Sequence, residues 1–260
     1  MAQKLSLKFN QSKFSDLVSK LKDLTGIEDV IKIKFDSNHM ILYSILSNEQ
    51  QVAALKTYMV STKDYIDNFS NEETFDFIIT SASKFVKNIQ FFNTESQIKF
   101  DIIYKPLPED DNLMHIRSAQ LSNGKLKISC VGGEQFKIRE VNKNFIDTRL
   151  NPKNCRWSFK VSSSDFSDVK KLSSINSEEK TLNINVQDGK VTFNEIAKWE
   201  LEVDTIKSSN QNLVFGKKYL SNINLDDEFV NFNIFDTFIL VKDKESNLML
   251  SFEQNFDTED

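Results

Sequence analysis

The sequence predicts an α+β protein, mainly antiparallel β, built from two similar halves. Three observations carry this. Apolar and polar residues alternate with period two along most of the chain, four stretches switch to helical spacing, and phrases from the first half return in the second.

Composition sets the bounds. A chain of 260 residues accommodates one large domain or two ordinary ones, and its 22 Phe supply a substantial core. Only 6 Gly and 3 Pro leave little material for long loops or glycine cradles. The formal charge of −5 is not that of a uniformly basic nucleic-acid binder. Cys130 and Cys155 stand far apart, as free thiols of a reducing compartment do. With no leader-like segment and no apolar run of about 18 residues, the expected location is cytoplasmic, without membrane association.

Taken in order, residues 4–9 alternate as a strand with Leu5, Leu7 and Phe9 on one face. Residues 11–24 place Phe14, Leu17, Val18, Leu21 and Leu24 at helical spacing, with Ser12 near the start and Gly26 past the end. A strand follows at 30–35, and the segment 47–73 absorbs extra length. The strand at 74–79 leads into a helix over 81–93 carrying Phe85, Val86 and Ile89. Strands at 97–103, 125–129 and 135–141 complete the first half, with Asn123-Gly124 as a hairpin signal. Residues 142–155 lack alternation, contain Pro152 and read as a linker. The domains are therefore expected at 1–141 and 156–260. In the second half, strands are expected at 156–161, 181–186, 191–196, 198–203, 213–215, 228–234, 237–241 and 247–252, with Asp188-Gly189 as a second hairpin signal. Helices are expected over 163–175, on Phe166, Val169, Leu172 and Ile175, and over 216–224, on Tyr219, Leu220 and Ile223.

The repeats bind these pieces together. "LSLKFNQSKFSDL" at 5–17 returns as "WSFKVSSSDFSDV" at 157–169, matching Phe14-Ser15-Asp16 with Phe166-Ser167-Asp168. Lys84-Phe85-Val86-Lys87-Asn88-Ile89 lines up with Lys218-Tyr219-Leu220-Ser221-Asn222-Ile223. Each half reads strand, helix and three-strand meander, twice over. One such unit cannot bury its apolar face alone, so copies pack side by side. Phe14 and Phe166 are expected to anchor their helices on the sheet.

No catalytic constellation emerges. His39 and His115 lack a metal-type spacing to a second His or Cys, and no phosphate-cradling or nucleophile-elbow motif is present. Gly132-Gly133 fits a hairpin turn. The pairs Glu72-Glu73, Asp110-Asp111, Glu178-Glu179 and Asp226-Asp227 lie among polar neighbours as solvated turn charges. Neither a metal nor a cofactor is expected, nor an enzymatic activity.

Charge is segregated. The four helical stretches carry a net +5 against −10 for the remainder. Their lysines, Lys13, Lys20 and Lys22, Lys84 and Lys87, Lys170 and Lys171, and Lys217 and Lys218, lie off the apolar stripes, where they can face water or a phosphate.

This organisation resembles the DNA sliding clamps, and most closely the trimeric clamps of the eukaryotic, archaeal and tailed-phage kind such as the proliferating cell nuclear antigen. "FSDVKKLSSINSEEKTLNINVQDGKVTFNE" at 166–195 is similar to the opening of the second domain of phage clamps, and "LVFGKKYLSNI" at 213–223 to their last strand and helix. The resemblance implies two clamp domains, each with two helices on one face of antiparallel sheets, and a ring closed by three copies of the chain. It implies a non-catalytic processivity factor that encircles double-stranded DNA without regard to sequence, tethers a DNA polymerase and is opened by an ATP-driven clamp loader. The nine helix lysines would meet the phosphates, and a helix of 14 residues, about 21 Å long, can cross a groove. A partner-peptide pocket would be lined by Leu46, Phe145, Ile146, Leu150, Phe238 and Phe252. Richness in Lys, Asn, Ile and Phe points to an AT-rich, viral source and hence to the host-cell cytoplasm. Two rival readings stay open: a β-rich interaction or virion assembly protein without a DNA role, and an enzyme of unrecognised type.

Overall fold

The structure, a computed structural model, describes residues 3–47, 51–67, 69–70, 72–92, 97–107, 110–130, 139–175, 180–187, 190–193, 200–202 and 211–252. The chain divides into two compact units, one of Met1–Ile45 with Lys56–Asn142, the other of Leu46–Leu55 with Lys143–Asp260.

The first unit begins with β1 (Gln3–Phe9), whose alternation turns Leu7 and Phe9 inward. Helix α1 (Gln11–Leu24) follows, capped by the Asn10 side chain, which accepts from the Ser12 amide at 3.0 Å. Phe14, Leu17, Val18, Leu21 and Leu24 form its buried stripe, as the helical spacing requires. Strands β2 (Val30–Phe35), β3 (His39–Ser47) and β4 (Val52–Ser61) then run as a meander, and the single turn α2 (Thr62–Tyr65) with β5 (Ile66–Asp67) takes up the extra length of this half. The second repeat consists of β6 (Thr74–Thr80), α3 (Ala82–Ile89) and the meander β7 (Lys99–Leu107), β8 (Asp110–Ser122) and β9 (Lys127–Cys130). Ser81 enters α3 in the left-handed region, at φ 54°. The sheet order is β4-β3-β2-β6-β8-β7-β1-β5, with β9 on the far side of β8. β1 pairs antiparallel with β5 and β7, β2 with β3 and β6, and β8 with β7 and β9, whereas β6 and β8 run parallel from Thr74 to Asp76 against Leu113 to His115.

The second unit opens with α4 (Lys143–Arg149) and a 3-10 turn at Pro152–Asn154, inside the stretch read as a linker without elements. Then come β10 (Trp157–Ser162), α5 (Ser163–Ile175), and the meander β11 (Thr181–Gln187), β12 (Lys190–Phe193) and β13 (Glu200–Glu202). After β14 (Gln211–Gly216) and a 3-10 turn at Lys217–Asn222, β15 (Phe229–Ile234), β16 (Phe238–Lys242) and β17 (Ser246–Ser251) form the last meander. Here β10-β15-β16-β17 and β13-β12-β11-β14 are two antiparallel arrays. The two units pair equivalent strands: β1 with β7 as β10 with β15, and β2 with β6 as β11 with β14.

Several details differ from the sequence reading. Strands β3, β4 and β8 occupy stretches to which the alternation assigns no bounds, although the three-strand meanders call for strands there. β3 and β4 are buried along most of their length, so apolar residues fall on both faces and the alternation disappears. The short helix expected over 216–224 is a six-residue 3-10 turn, because Gly216 offers no capping side chain and the Ile223 amide closes onto the Leu220 carbonyl, three residues back. The helix expected over 81–93 is confined to Ala82–Ile89. The expected strand segments 135–138, 194–196, 198–199 and 203, and the hairpin residues Asp188-Gly189, lie outside the described residues. The register nonetheless sets Gln187 opposite Lys190. At the other hairpin signal, Gly124 adopts φ +84° while the Asn123 carboxamide accepts from the Leu126 amide at 3.0 Å. Among the described residues no helix is long and apolar enough to cross a membrane.

Aromatic packing holds both cores. Phe9 meets Phe14 at 5.8 Å and Phe100 at 5.7 Å, while Phe35 stacks on Phe75 at 5.4 Å. In the second unit Phe166 meets Phe232 at 5.2 Å and Phe193 at 5.7 Å, and Phe159 stacks on Phe232 at 4.8 Å. Phe14 and Phe166 are both buried in their sheets, as anchors of α1 and α5 must be. Two polar features sit within this frame. Lys32 is buried in β2, 2.9 Å from Asp76 and paired with Glu140, which Lys34 also meets at 3.1 Å. The Asp243 carboxylate closes the β16–β17 turn by accepting from the Ser246 amide and hydroxyl at 2.6 Å, and from the Asn224 carboxamide at 3.0 Å.

Two outcomes follow. Replacing Phe166 with Ala removes a fully buried ring, and chemical denaturation should register a loss of about 3–5 kcal/mol. Burial alone would raise the Asp243 carboxyl. The Ser246 hydroxyl and amide, the Glu245 amide and Asn224 outweigh it and hold the group below the ordinary carboxylate range. A group depressed in the folded state stabilises above its unfolded pKa, and that stability is lost as pH falls through the folded value. Asp243→Ala should therefore cost about 1–3 kcal/mol at neutral pH, and the difference from the unaltered protein should shrink in denaturation curves taken below the usual carboxylate range.

Candidate nucleic-acid interface

In each unit the helices lie beside one another: α1 packs against α3, and α5 against the 3-10 turn at 217–222. Their apolar stripes face the sheet, so what remains outward is the polar side of each element. In α3 the buried set is Ala82, Phe85, Val86 and Ile89. Lys84 and Lys87 therefore project to solvent, with exposed Ser83 and Asn88 beside them. In the matching 3-10 turn, Tyr219, Leu220 and Asn222 are buried and Lys218 is exposed, its ammonium 4.8 Å from the centre of the Tyr219 ring. The aligned phrases thus carry the same inside-outside pattern at every position but one, since Asn88 is exposed and Asn222 buried.

The nine lysines proposed from sequence do not share one environment. Lys13, Lys22, Lys84 and Lys87 are exposed, and no ion-pair partner is found for them among the described residues. Lys171 is exposed but pairs with Asp168 at 2.9 Å, a solvated contact of small energetic consequence. Lys217 is half-buried. Lys170 is half-buried too and donates to the Ile223 carbonyl at 3.0 Å, which fastens α5 to the neighbouring turn. Lys20 departs from the expectation that the helix lysines face water. Its side chain is only 9% exposed, bonded to Asp16 at 2.9 Å, with the ammonium 5.3 Å from the centre of the Tyr58 ring. A long aliphatic stem lets a residue at the edge of the apolar stripe lay its ammonium inward once an acid and an aromatic face receive it.

Sequence reasoning missed the group beneath α1. Lys56 and Tyr58 of β4 and Tyr65 of α2 all reach acids of that helix. Lys56 pairs with Asp23, the Tyr58 hydroxyl donates to Asp23 at 2.5 Å, and the Tyr65 hydroxyl donates to Asp16 at 2.5 Å. The available signal was a lone lysine within the apolar run of "VAALKTYMVS". Burial raises the Asp16 carboxyl, but the bonds from Tyr65 and Lys20 outweigh it and leave the group below its ordinary range.

The residues proposed for a partner-peptide pocket all fall in the second unit. Ile146 and Leu150 are buried, whereas Leu46, Phe145, Phe238 and Phe252 are half-exposed. Phe238 stacks on Phe235 at 4.4 Å. Among the described residues, no group of three or more His, Cys, Asp or Glu side chains could hold a metal ion.

Comparison with protein-family models and with curated proteins finds no match. Solved structures do match. The chain superposes on a Helicobacter pylori beta clamp bound to a DNA ligase peptide with a TM-score of 0.64 at 15% identity, covering 95% of this chain and 65% of that one. It superposes on the PCNA of Thermococcus kodakaraensis with a TM-score of 0.60 at 11% identity, covering 96% and 100%. For a PCNA2–PCNA3 complex of Sulfolobus tokodaii the TM-score is 0.58 at 10% identity, covering 97% and 99%. The chain thus spans nearly the whole length of the PCNA chains and less than two thirds of the bacterial one. At these identities the likeness establishes architecture, and the architecture is that of the sliding clamps.

Proposed function

We propose that the chain is a DNA sliding clamp and carries no catalytic activity of its own. Three copies close into a ring around duplex DNA and tether a replicative DNA polymerase, and an ATP-driven loader opens the ring. Residues 1–141 and 156–260 act as the clamp domains, joined by 142–155. The setting is cytoplasmic, and for a viral source the host-cell cytoplasm.

One observation carries this reading: on a clamp fold, the outward side of the paired helices α1 and α3 exposes Lys13, Lys22, Lys84 and Lys87, while the protein as a whole is acidic. Exposed ammonium groups on flexible stems make phosphate contacts that carry no sequence information. Such contacts allow sliding, and a closed ring prevents loss without tight binding. An acidic exterior repels DNA from every other surface. Lys170, Lys171, Lys217 and Lys218 extend the same contacts from the second unit, with Lys170 held back by its bond to Ile223. A partner peptide would dock on the half-exposed Leu46, Phe145, Phe238 and Phe252, over a floor built by Ile146 and Leu150. The Helicobacter pylori clamp described above, with its bound ligase peptide, supports a peptide-binding role.

The expected outcomes are concrete. Light scattering should give a mass of about three times the 30.1 kDa chain. Reversing charge at Lys84, Lys87, Lys217 and Lys218 together should reduce stimulation of a polymerase on primed circular DNA by at least about tenfold, with thermal unfolding unchanged. A monomer whose charge-reversed variant behaves like the parent would favour the assembly-protein reading instead.

A further inference from the structure

Helix α1 carries five charges: Lys13, Asp16, Lys20, Lys22 and Asp23. Taken along the sequence they nearly cancel, and a helix of mixed sign would grip a polyanion poorly. The structure sorts them. Asp23 is drawn to Lys56, whose side chain is only 1% exposed, and to the Tyr58 hydroxyl. Asp16 is drawn to Lys20 and to the Tyr65 hydroxyl. Tyr58 lies between the two pairs, with the Lys20 and Lys56 ammonium groups 5.3 and 5.5 Å from its ring centre. Exposed on the helix are Gln11, Ser12, Lys13, Ser15, Ser19 and Lys22, while the Asp16 and Asp23 side chains keep 40% and 21% of their surface in water.

We propose that Lys56 is a positioning residue for DNA binding: it is the internal counter-ion that offsets the Asp23 charge in the field of α1, as Lys20 offsets that of Asp16, so that duplex DNA meets Lys13 and Lys22 on a helix whose acids are compensated from within. The proposal rests on the clamp reading and names the groups that shape its DNA-facing charge. Stability alone does not account for Lys56. A buried ammonium–carboxylate pair gains little over an apolar pair of similar volume, because both ions must leave water. An apolar strand residue at 56 would, however, remove the Lys56 ammonium from Asp23 and leave more of that negative charge in the field beside Lys22. Lys56 comes from β4 rather than from the helix, so α1 acquires a neutralising cation without spending any of its own outward positions.

The test measures affinity for a fluorescent 30-base-pair duplex across a salt series, with thermal unfolding as a check on the fold. Lys56→Gln keeps a hydrogen-bonding group and removes the charge. It should weaken binding about threefold at 50 mM salt, and the deficit should fade as salt screens it. Adding Asp23→Asn to Lys56→Gln should restore the parental affinity. The proposal fails if folded Lys56→Gln binds like the parent, or if the double variant stays as weak as the single. Should Lys56→Gln not fold, Tyr65→Phe removes one hydroxyl from Asp16 and should show the same salt-dependent weakening, with parental binding overturning the idea. Lys84→Glu is the control for the underlying reading. If it binds DNA like the parent, the clamp reading itself falls, whereas weakened Lys84→Glu beside unaffected Lys56→Gln removes only the role of Lys56.

Discussion

The helical surface depends on one contact made in each unit: a phenylalanine near the start of a helix, sunk into the sheet beneath it. Phe14 and Phe166 are rigid and wholly apolar, and each meets aromatic neighbours edge-on, at Phe9 and at Phe193 and Phe232. With that ring seated, the rotation of the helix about its axis is settled, and so is which residues point outward. Phe85 and Tyr219 do the same for the second element of each pair. The outward lysines are a consequence of apolar residues fixing the inward side.

The repeated scaffolds are not identical. In the first unit β6 and β8 pair in parallel, so its strands form one array, whereas the second unit keeps two. The eight-residue α3 corresponds to a six-residue 3-10 turn. The polar devices differ more. The first unit buries Lys20, Lys32 and Lys56 with acids, and the second relies on turn-closing bonds such as those of Asp243. Apolar pattern carries the shared fold, and the charges vary upon it.

That division explains what the sequence could disclose. Strands with one wet face, such as β1, β10 and β11, announce themselves by alternation, as does β2, whose lysines alternate although Lys32 is buried with acids, and the helices by Phe14, Phe85 and Phe166 at helical spacing. β3 and β4 were hidden because their Met, Ile, Leu, Tyr and Ala side chains are buried on both faces and leave no period to find. Lysine exposure was legible where the residue sits well away from the stripe, as Lys84 and Lys87 do. It was not legible for Lys20, whose inward turn depends on Tyr58, 38 positions away in the chain and brought near only by the fold. Lys56 stood out only as a lone lysine in an apolar run, and its partner Asp23 was hidden for the same reason, since it belongs to another element.

The pairing of β1 with β7 joins Gln3–Lys8 to Lys99–Tyr104, and β10 with β15 joins Trp157–Ser162 to Phe229–Ile234. Each helix-bearing strand therefore leaves the ribosome long before the strand that completes it. At a synthesis rate of about 5–20 residues per second, β1 waits roughly 5–20 s for its partner, and α1 waits with it. During that interval Leu7, Phe9 and Phe14 have no finished sheet to enter. The nascent chain spends that time as an open apolar edge followed by a charged amphipathic helix, a form that invites holdase chaperones. The permuted strand order that seats each helix on its own sheet thus delays completion of that sheet until late in the synthesis of the unit.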